Sequence, residues 1–471
     1  MREYDIIIGV EVHAELNTNT KAFCSCRNEF GVDPNSSVCP VCLGLPGAIP
    51  ILNRQAVESV VIGGLAFGCK INRHSIFERK NFFYPDLSAG YQITQFTKPL
   101  CEHGGIKLDS GKFVRINRIH LESDSGKLVH NNEETLIDFN RSGVPLIEIV
   151  SEPDLRGVEE TCEFLSKLRD TLEFTGVSEC RPEKGELRFD VNISVSPKDS
   201  IILGTRVEIN NLNTFSEVAK AIDYETRRHI EIIERDGDVK RETRGWDEKS
   251  GRTYVIRRKE SENDYRYFPD PDIPEIEITD EDIARLKHLL PESYEDRVER
   301  YKSLGLSDYD IEVLTAEKYI SDYFDKTLSL TNEPKETANW VMTDVLRVFN
   351  ESGREDFGGA VSSENLARII ELLVNNEISR ASAKILFDEV SKTGKDVDSL
   401  IREISIIGEV SAEEIADIIK NIVKDKPQIV ADYAESPEAV AHYFVGAIMK
   451  ITNGKAEIDI ILPLLDEILE G

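Results

Sequence analysis

A two-residue alternation of apolar side chains with polar, often ionisable ones constrains this chain more than any other feature. In Ile8-Gly9-Val10-Glu11-Val12-His13-Ala14-Glu15 it sends Glu11, His13 and Glu15 to one face of a strand and Val10, Val12 and Ala14 to the other. The same period groups Arg118, His120 and Glu122, then Arg188, Asp190, Asn192 and Ser194, then Arg206, Glu208 and Asn210. In Leu146-Ile147-Glu148-Ile149-Val150 a lone acid interrupts an otherwise apolar strand. A buried carboxylate has to be protonated, paired or metal-bound, because leaving it bare is costly. Any one polar strand face simply meets water by default. Several acids converging from several strands, with an imidazole among them, form instead an oxygen-rich pocket suited to Mg2+ and, through it, to ATP phosphates.

From Asp5 to about residue 215 the pattern is mixed α+β, with helices expected at Arg54 to Phe67 and Val158 to Glu173. The segment Phe268 to Asp282, with Pro269, Pro271 and Pro274, holds many acids and little that could form a core, so a domain boundary is expected near residue 290. Beyond it the period becomes helical: Leu366, Ile369, Ile370 and Leu373 fall on one stripe. A break at Glu403 to Gly408 precedes Ser411 and Glu414, a capping box, and the stripe Ile415, Ile418, Ile419, Ile422. The expected organisation is an α+β domain over 1–290, an all-helical domain over 291–405 and a small helical tail over 406–471.

Cys24-Ser-Cys26 and Cys39-Pro-Val-Cys42 form two close thiol pairs in a chain without a signal-peptide pattern, a distribution that suits a structural Zn2+ site better than disulfides. The chain reads as cytoplasmic, with no membrane span. Its 57 Lys+Arg against 87 Asp+Glu leave a formal charge of −30, which disfavours indiscriminate nucleic-acid binding but permits local RNA contacts. Two aromatic stretches, Arg79 to Asp86 and Asp264 to Pro269, could stack on bases, although core anchoring is the default role for most of their rings. The chain has no P-loop, no dinucleotide fingerprint, no nucleophile elbow and no nucleophile arrangement able to hydrolyse glutamine.

Four blocks carry a resemblance. Ile8 to His13, FERKNFFYPDLSAGYQITQF from Phe77, NRSGVPLIEIVSEPD from Asn140, and DYRYFPDPDIP from Asp264 are similar to the GatB family of Asp/Glu-tRNA amidotransferase subunits, and the resemblance covers essentially the whole chain. It implies an N-terminal cradle that binds Mg2+ and ATP and phosphorylates the side-chain carboxylate of Glu-tRNA(Gln) or Asp-tRNA(Asn). It also implies a heterotrimer, in which an amidase-type glutaminase partner delivers ammonia through a channel and a small third polypeptide wraps the pair. The helical regions would recognise tRNA.

Carried over by motif, Glu11, His13, Glu122, Glu148 and Glu208 would bind Mg2+, with Glu11, His13 and Glu148 central to catalysis. Lys80, near the channel mouth, and Asp190 and Asn192 would hold the nucleotide, and Cys24, Cys26, Cys39 and Cys42 would hold zinc. The chain departs from the family at Ser123, where a second consecutive acid is common, and at Asn210, where lysine is common. The tail from Ile406 carries five lysines against thirteen acids, so its phosphate contacts are expected to be few and local. A non-catalytic tRNA-docking scaffold is the competing reading. The archaeal relative with a large inserted domain finds little room between Asp264 and residue 300.

Overall fold

The structure, a computed structural model, describes residues 3–130, 134–198, 200, 202–258, 265–352, 357–404, 411–426, 437–452, 456 and 458–470. Asp264, most of the Glu403 to Gly408 break and Asn453-Gly454-Lys455 lie outside them. It divides into two compact units, Met1–Tyr294 and Glu295–Gly471.

In the first unit β1 (Tyr4–Glu15) is followed by helix α1 (Arg54–Ala66) and the short strands β2 (Lys70–Ile71), β3 (His74–Ser75), β4 (Glu78–Asn81) and β5 (Tyr91–Thr94). Next come β6 (Cys101–Lys107), β7 (Phe113–Ser123), β8 (Lys127–His130), β9 (Thr135–Asp138), β10 (Pro145–Ser151) and α2 (Val158–Phe174). After these the chain forms β11 (Leu187–Pro197), β12 (Val207–Leu212), α3 (Phe215–Glu234), β13 (Glu242–Asp247) and β14 (Arg252–Arg258). The unit closes with β15 (Phe268–Pro269), β16 (Ile276–Glu277) and α4 (Asp280–His288).

Nine strands make one sheet in the order β14-β13-β12-β11-β1-β10-β7-β6-β2, and β12 and β13 run parallel while the other neighbours pair antiparallel. The alternation sets its two faces. Ile8, Val10, Val12, Ala14, Ile147, Ile149, Ile119, Leu121, Val191 and Ile193 are buried with α1, α2 and α3 in one core, while the alternate residues form the opposite, polar face. Asn53 caps α1 by accepting from Gln55 N and Ala56 N, and Thr214 with Glu217 forms a capping box on α3. Gly64 lets α1 lie close on β6, since a Cβ there would fall 2.4 Å from Cys101 Sγ.

The expectation that Phe268 to Asp282 contributes little to a core is corrected. Ile273 and Ile278 are buried in the main core, and β15 and β16 pair with β4 and β3. Ile273, between Pro271 and Pro274, and Ile278, after them, supply the anchoring.

The second unit is helical in its described residues, from Tyr294–Ser303 to Ile458–Glu470. Leu366, Ile369 and Ile370 sit in one core with Trp340, Phe324 and Phe387, and Ile415 and Ile419 sit in a separate one with Phe444 and Ile461. Ser411 and Glu414 form the capping box at the start of helix Ala412–Asp425. No helix among the described residues is long and apolar enough to cross a membrane.

Candidate active site

Strand register builds the site. Glu148 on β10 faces His13 of β1 on one side and His120 of β7 on the other, and His13 in turn faces Arg188 of β11. One step along, Glu11 faces Asp190, and Asn192 faces Glu208 of β12. His13 Nε2 lies 3.3 Å from Glu122 Oε1 and 3.5 Å from Glu148 Oε2, and the three residues offer ligand atoms within 4.8 Å of one another. Glu11 and Glu208 stand outside that trio, in a second acidic group on the same face: Asn192 Nδ2 donates to Glu11 Oε1 at 2.9 Å. Thr94 Oγ1 donates to Glu122 Oε2 at 3.3 Å.

Charge follows burial and company. Burial acts against a cationic His13, but hydrogen bonds and attraction from Glu122 and Glu148 override it and hold its pKa well above the usual histidine value. Burial likewise opposes ionisation of Glu148, yet His120 and His13 hold its carboxyl well below the usual range. Glu11 has less cationic company: burial, Glu148, Asp190 and Glu208 push it up to about 7. Asp190 is raised as well, chiefly by burial, while Asn211 N donates to its Oδ1 at 2.9 Å. A bulge between β11 and β12 allows that donation, with Asn211 at φ 62°, a conformation asparagine tolerates better than most residues.

Two cavities of about 300 and 290 Å3 open on this face and share His13, Lys80, Asp190, Asn210 and Arg257. The second collects Arg118, Arg206, Arg241, Arg257 and Lys80 around Glu11, Glu148 and Glu208. Burial works against the Lys80 ammonium, but Tyr267, Glu122 and Glu148 raise its pKa above the usual lysine value. Asn192 Oδ1, Asn210 Oδ1, Arg118 Nε and His120 Nδ1 are buried without a hydrogen-bond partner among the described residues, an arrangement that suits a polar ligand or water.

The expectation that most rings of the two aromatic stretches anchor a core does not hold. Phe83, Tyr84 and Phe268 are exposed, Phe82, Tyr265 and Tyr267 line the cavities, and Phe96 stacks on Tyr267 at 4.5 Å. At the departure Ser123, the hydroxyl accepts from Ile93 N at 3.3 Å and ties β7 to β5. His120, Arg118 and Arg188 complete the setting, although only their shared strand faces could be read in sequence. Arg188 Nη2 donates to buried Asp124 at 2.6 Å.

Cys24, Cys26, Cys39 and Cys42 place four Sγ atoms within 4.8 Å of one another and form no disulfide. Cys39 Sγ and Cys42 Sγ are 3.9 Å apart, against about 3.8 Å for the edge of a tetrahedron with metal–sulfur bonds of about 2.3 Å. Cys39 N donates to Cys42 Sγ at 3.1 Å. The Cys24 thiol, helped by Lys21, holds the Cys42 thiol down to about 5. Gly44, at φ +64°, closes this turn where a Cβ would strike the Ala89 backbone at 2.7 Å. The donor set fits Zn2+.

Comparison with known proteins gives a consistent picture. The profile described as the GatB/GatE catalytic domain matches residues 6–284, and one described as the GatB domain matches residues 322–469. The B subunit of the aspartyl/glutamyl-tRNA(Asn/Gln) amidotransferase of Caldicellulosiruptor saccharolyticus is 45% identical over 477 residues, covering 99% of each chain. That of Persephonella marina is 43% identical over 473 residues, covering 99% of this chain and all of its own, and that of Carboxydothermus hydrogenoformans is 42% identical over 474.

Proposed function

The chain belongs to the GatB family, and on that premise we propose that it is the carboxylate-activating subunit of a tRNA-dependent amidotransferase, a glutamine-dependent ligase. The observation that carries the reading is the convergence of His13, Glu122 and Glu148 beside two cavities that share His13, the second of them lined by Lys80 and four arginines. In a chain of formal charge −30, such a local concentration of cations beside carboxylates suits a polyphosphate together with its divalent ion.

His13, after giving up its proton, would hold Mg2+ together with Glu122 and Glu148, with Glu11 and Glu208 facing the same space. Two carboxylates, one imidazole and room for water and phosphate oxygens make a donor set that fits the ion. Bound there, the ion would supply charge neutralisation at the phosphates of ATP and so favour transfer of the terminal phosphate to the acceptor. Lys80 and the arginines bind the phosphates, and Asp190 and Asn192 orient the nucleotide. A side-chain carboxylate oxygen of the misacylated tRNA attacks the terminal phosphorus, and ADP leaves. The acyl phosphate is then attacked by ammonia at its carbonyl carbon, and inorganic phosphate leaves. The aromatic wall of Phe82, Tyr265 and Tyr267 keeps water from the activated acyl group.

Ammonia comes from an amidase-type glutaminase partner, and a small third polypeptide completes a heterotrimer. The substrates are Glu-tRNA(Gln), Asp-tRNA(Asn) or both. The helical regions over 291–405 and 406–471 hold the tRNA, and the α+β region over 1–290 is the cradle. The four cysteines hold a structural zinc. Replacement by Co2+ gives thiolate-to-cobalt charge-transfer absorption that Cys39→Ala with Cys42→Ala removes; unchanged spectra would dismiss the zinc site.

The test of function uses the assembled complex. Glu148→Gln abolishes amidation and the ADP formation that depends on misacylated tRNA, while glutaminase activity remains detectable. Amidation that survives removes Glu148 from the site. ADP formation unaffected by misacylated tRNA in the wild type favours a docking scaffold.

A further inference from the structure

We infer that His120 is a positioning residue: its imidazole fixes the Glu148 carboxylate in the orientation that binds the divalent ion, without itself being a ligand. The inference rests on the reading of the pocket as a divalent-cation site.

The geometry carries it. Register places His120 directly across from Glu148, and its Nε2 lies 3.2 Å from Glu148 Oε2, closer than the 3.5 Å from His13 Nε2 to the same oxygen. Glu122 Oε2 is farther from His120 Nε2, at 4.0 Å. The His120 side chain is only 3% exposed, whereas that of His13 is 19% exposed, and the ligand atoms that lie within 4.8 Å of one another belong to His13, Glu122 and Glu148, a group that does not take in His120. On the other oxygen Arg118 Nη2 reaches only to 3.8 Å.

The second ring nitrogen supplies an independent argument. Nδ1 of His120 is buried without a partner among the described residues. A buried orphan of this kind is unfavourable, and an apolar side chain of the same shape would pack there without it. The ring therefore contributes what a hydrocarbon cannot, an imidazole nitrogen 3.2 Å from Glu148 Oε2. Without it the Glu148 carboxylate keeps one close neighbour, His13, which the ion also needs. A carboxylate ligand depends on such an outer hydrogen bond to hold its lone pairs in place.

Two variants of the assembled complex separate this role from packing. His120→Phe keeps the volume of the ring and removes the donor; His120→Gln keeps an N–H donor on a side chain of similar reach. Mn2+ affinity is measured by electron paramagnetic resonance, and the Mg2+ dependence of amidation is measured separately from kcat at saturating Mg2+. His120→Phe is expected to weaken Mn2+ binding and raise the Mg2+ requirement by about 10- to 100-fold, with a smaller fall in kcat, while His120→Gln stays within a few-fold of wild type. Unchanged cation affinity in His120→Phe overturns the inference, as does a His120→Gln variant as impaired as His120→Phe. A wild-type complex that binds no divalent ion, or one whose binding survives Glu148→Gln, overturns the reading of the pocket and this role with it.

Discussion

Two buried carboxylates sit on opposite sides of the same sheet, and the difference between them separates a site from a support. Glu148 lies on the polar face with His13, His120 and Arg118 at 3.2–3.8 Å and a cavity in front. Glu225, on α3, is fully buried between the helix and β13–β14. Arg228 Nε and Nη2 donate to both its oxygens at 2.7–3.0 Å, Thr253 Oγ1 donates at 2.5 Å, and Arg244 Nε lies 3.2 Å away. Arg244 also donates to Glu242 at 2.8 Å and to the Thr253 carbonyl at 3.1 Å. Glu225 is saturated by donors already in contact; Glu148 is held loosely among groups that also line open space. Burial and ionisation are common to both, so neither marks function. What marks it is bonding capacity left over beside a cavity.

The strongest way to break this comparison is to neutralise each carboxylate with the same substitution. Glu148→Gln should abolish amidation, a fall of about 100- to 1,000-fold or more, with a smaller loss of thermal midpoint than Glu225→Gln, because His13 can give up its proton when its carboxylate partner is lost whereas Arg228 and Arg244 cannot. Glu225→Gln should do the reverse. It leaves buried Arg244 and half-buried Arg228 against an uncharged amide, and losing one partner of a buried pair costs about 3–5 kcal/mol. Denaturant unfolding and amidation assays on both variants check this. Equal losses of stability would show that the two sites do not differ as argued.

Acid provides a subtler separation. Burial opposes ionisation of Glu225, but His229, Arg228 and Thr253 bring its pKa from 4.5 down to about 2. A depressed folded-state value means that this stabilisation is whole above about pH 4.5 and is lost as pH falls toward 2. The amount is about 3 kcal/mol, at about 1.4 kcal/mol per unit. Unfolding free energies measured between pH 5 and 3 should fall more steeply in wild type than in Glu225→Gln. Parallel slopes would remove Glu225 from the acid response.

How much of this could be read in advance depended on the range of the interaction. Alternation along one strand is local, so the polar faces of β1, β7 and β11 and the lone acid Glu148 were readable, as were the paired cysteines. Which residue meets which is set by register between strands far apart in sequence. The face of His120 could therefore be read, but its position against Glu148 could not. Glu225 gave no signal at all: in Ala221-Ile222-Asp223-Tyr224-Glu225-Thr226 it resembles any helix acid, and its partners Arg244 and Thr253 arrive from two later strands. The aromatic stretches misled for a related reason. Their spacing does not reveal whether the face they turn to is packed or open, and in this fold Phe82, Tyr265 and Tyr267 face cavities.

The finest test compares single hydroxyl donors. Thr253 gives one hydrogen bond to Glu225, and Thr94 gives one of 3.3 Å to Glu122. Replacing each by valine keeps the shape and deletes the donor. Within the saturated network Thr253→Val removes one of several bonds, so a stability loss of about 1 kcal/mol is expected, with the Mg2+ requirement unchanged. Glu122 has fewer anchors and is proposed as a ligand, so Thr94→Val should leave the unfolding midpoint nearly unchanged and raise the Mg2+ requirement a few-fold. Because both substitutions are isosteric, a Thr94→Val that loses stability without any change in the Mg2+ requirement would place Glu122 with Glu225, among the groups that merely hold the sheet together.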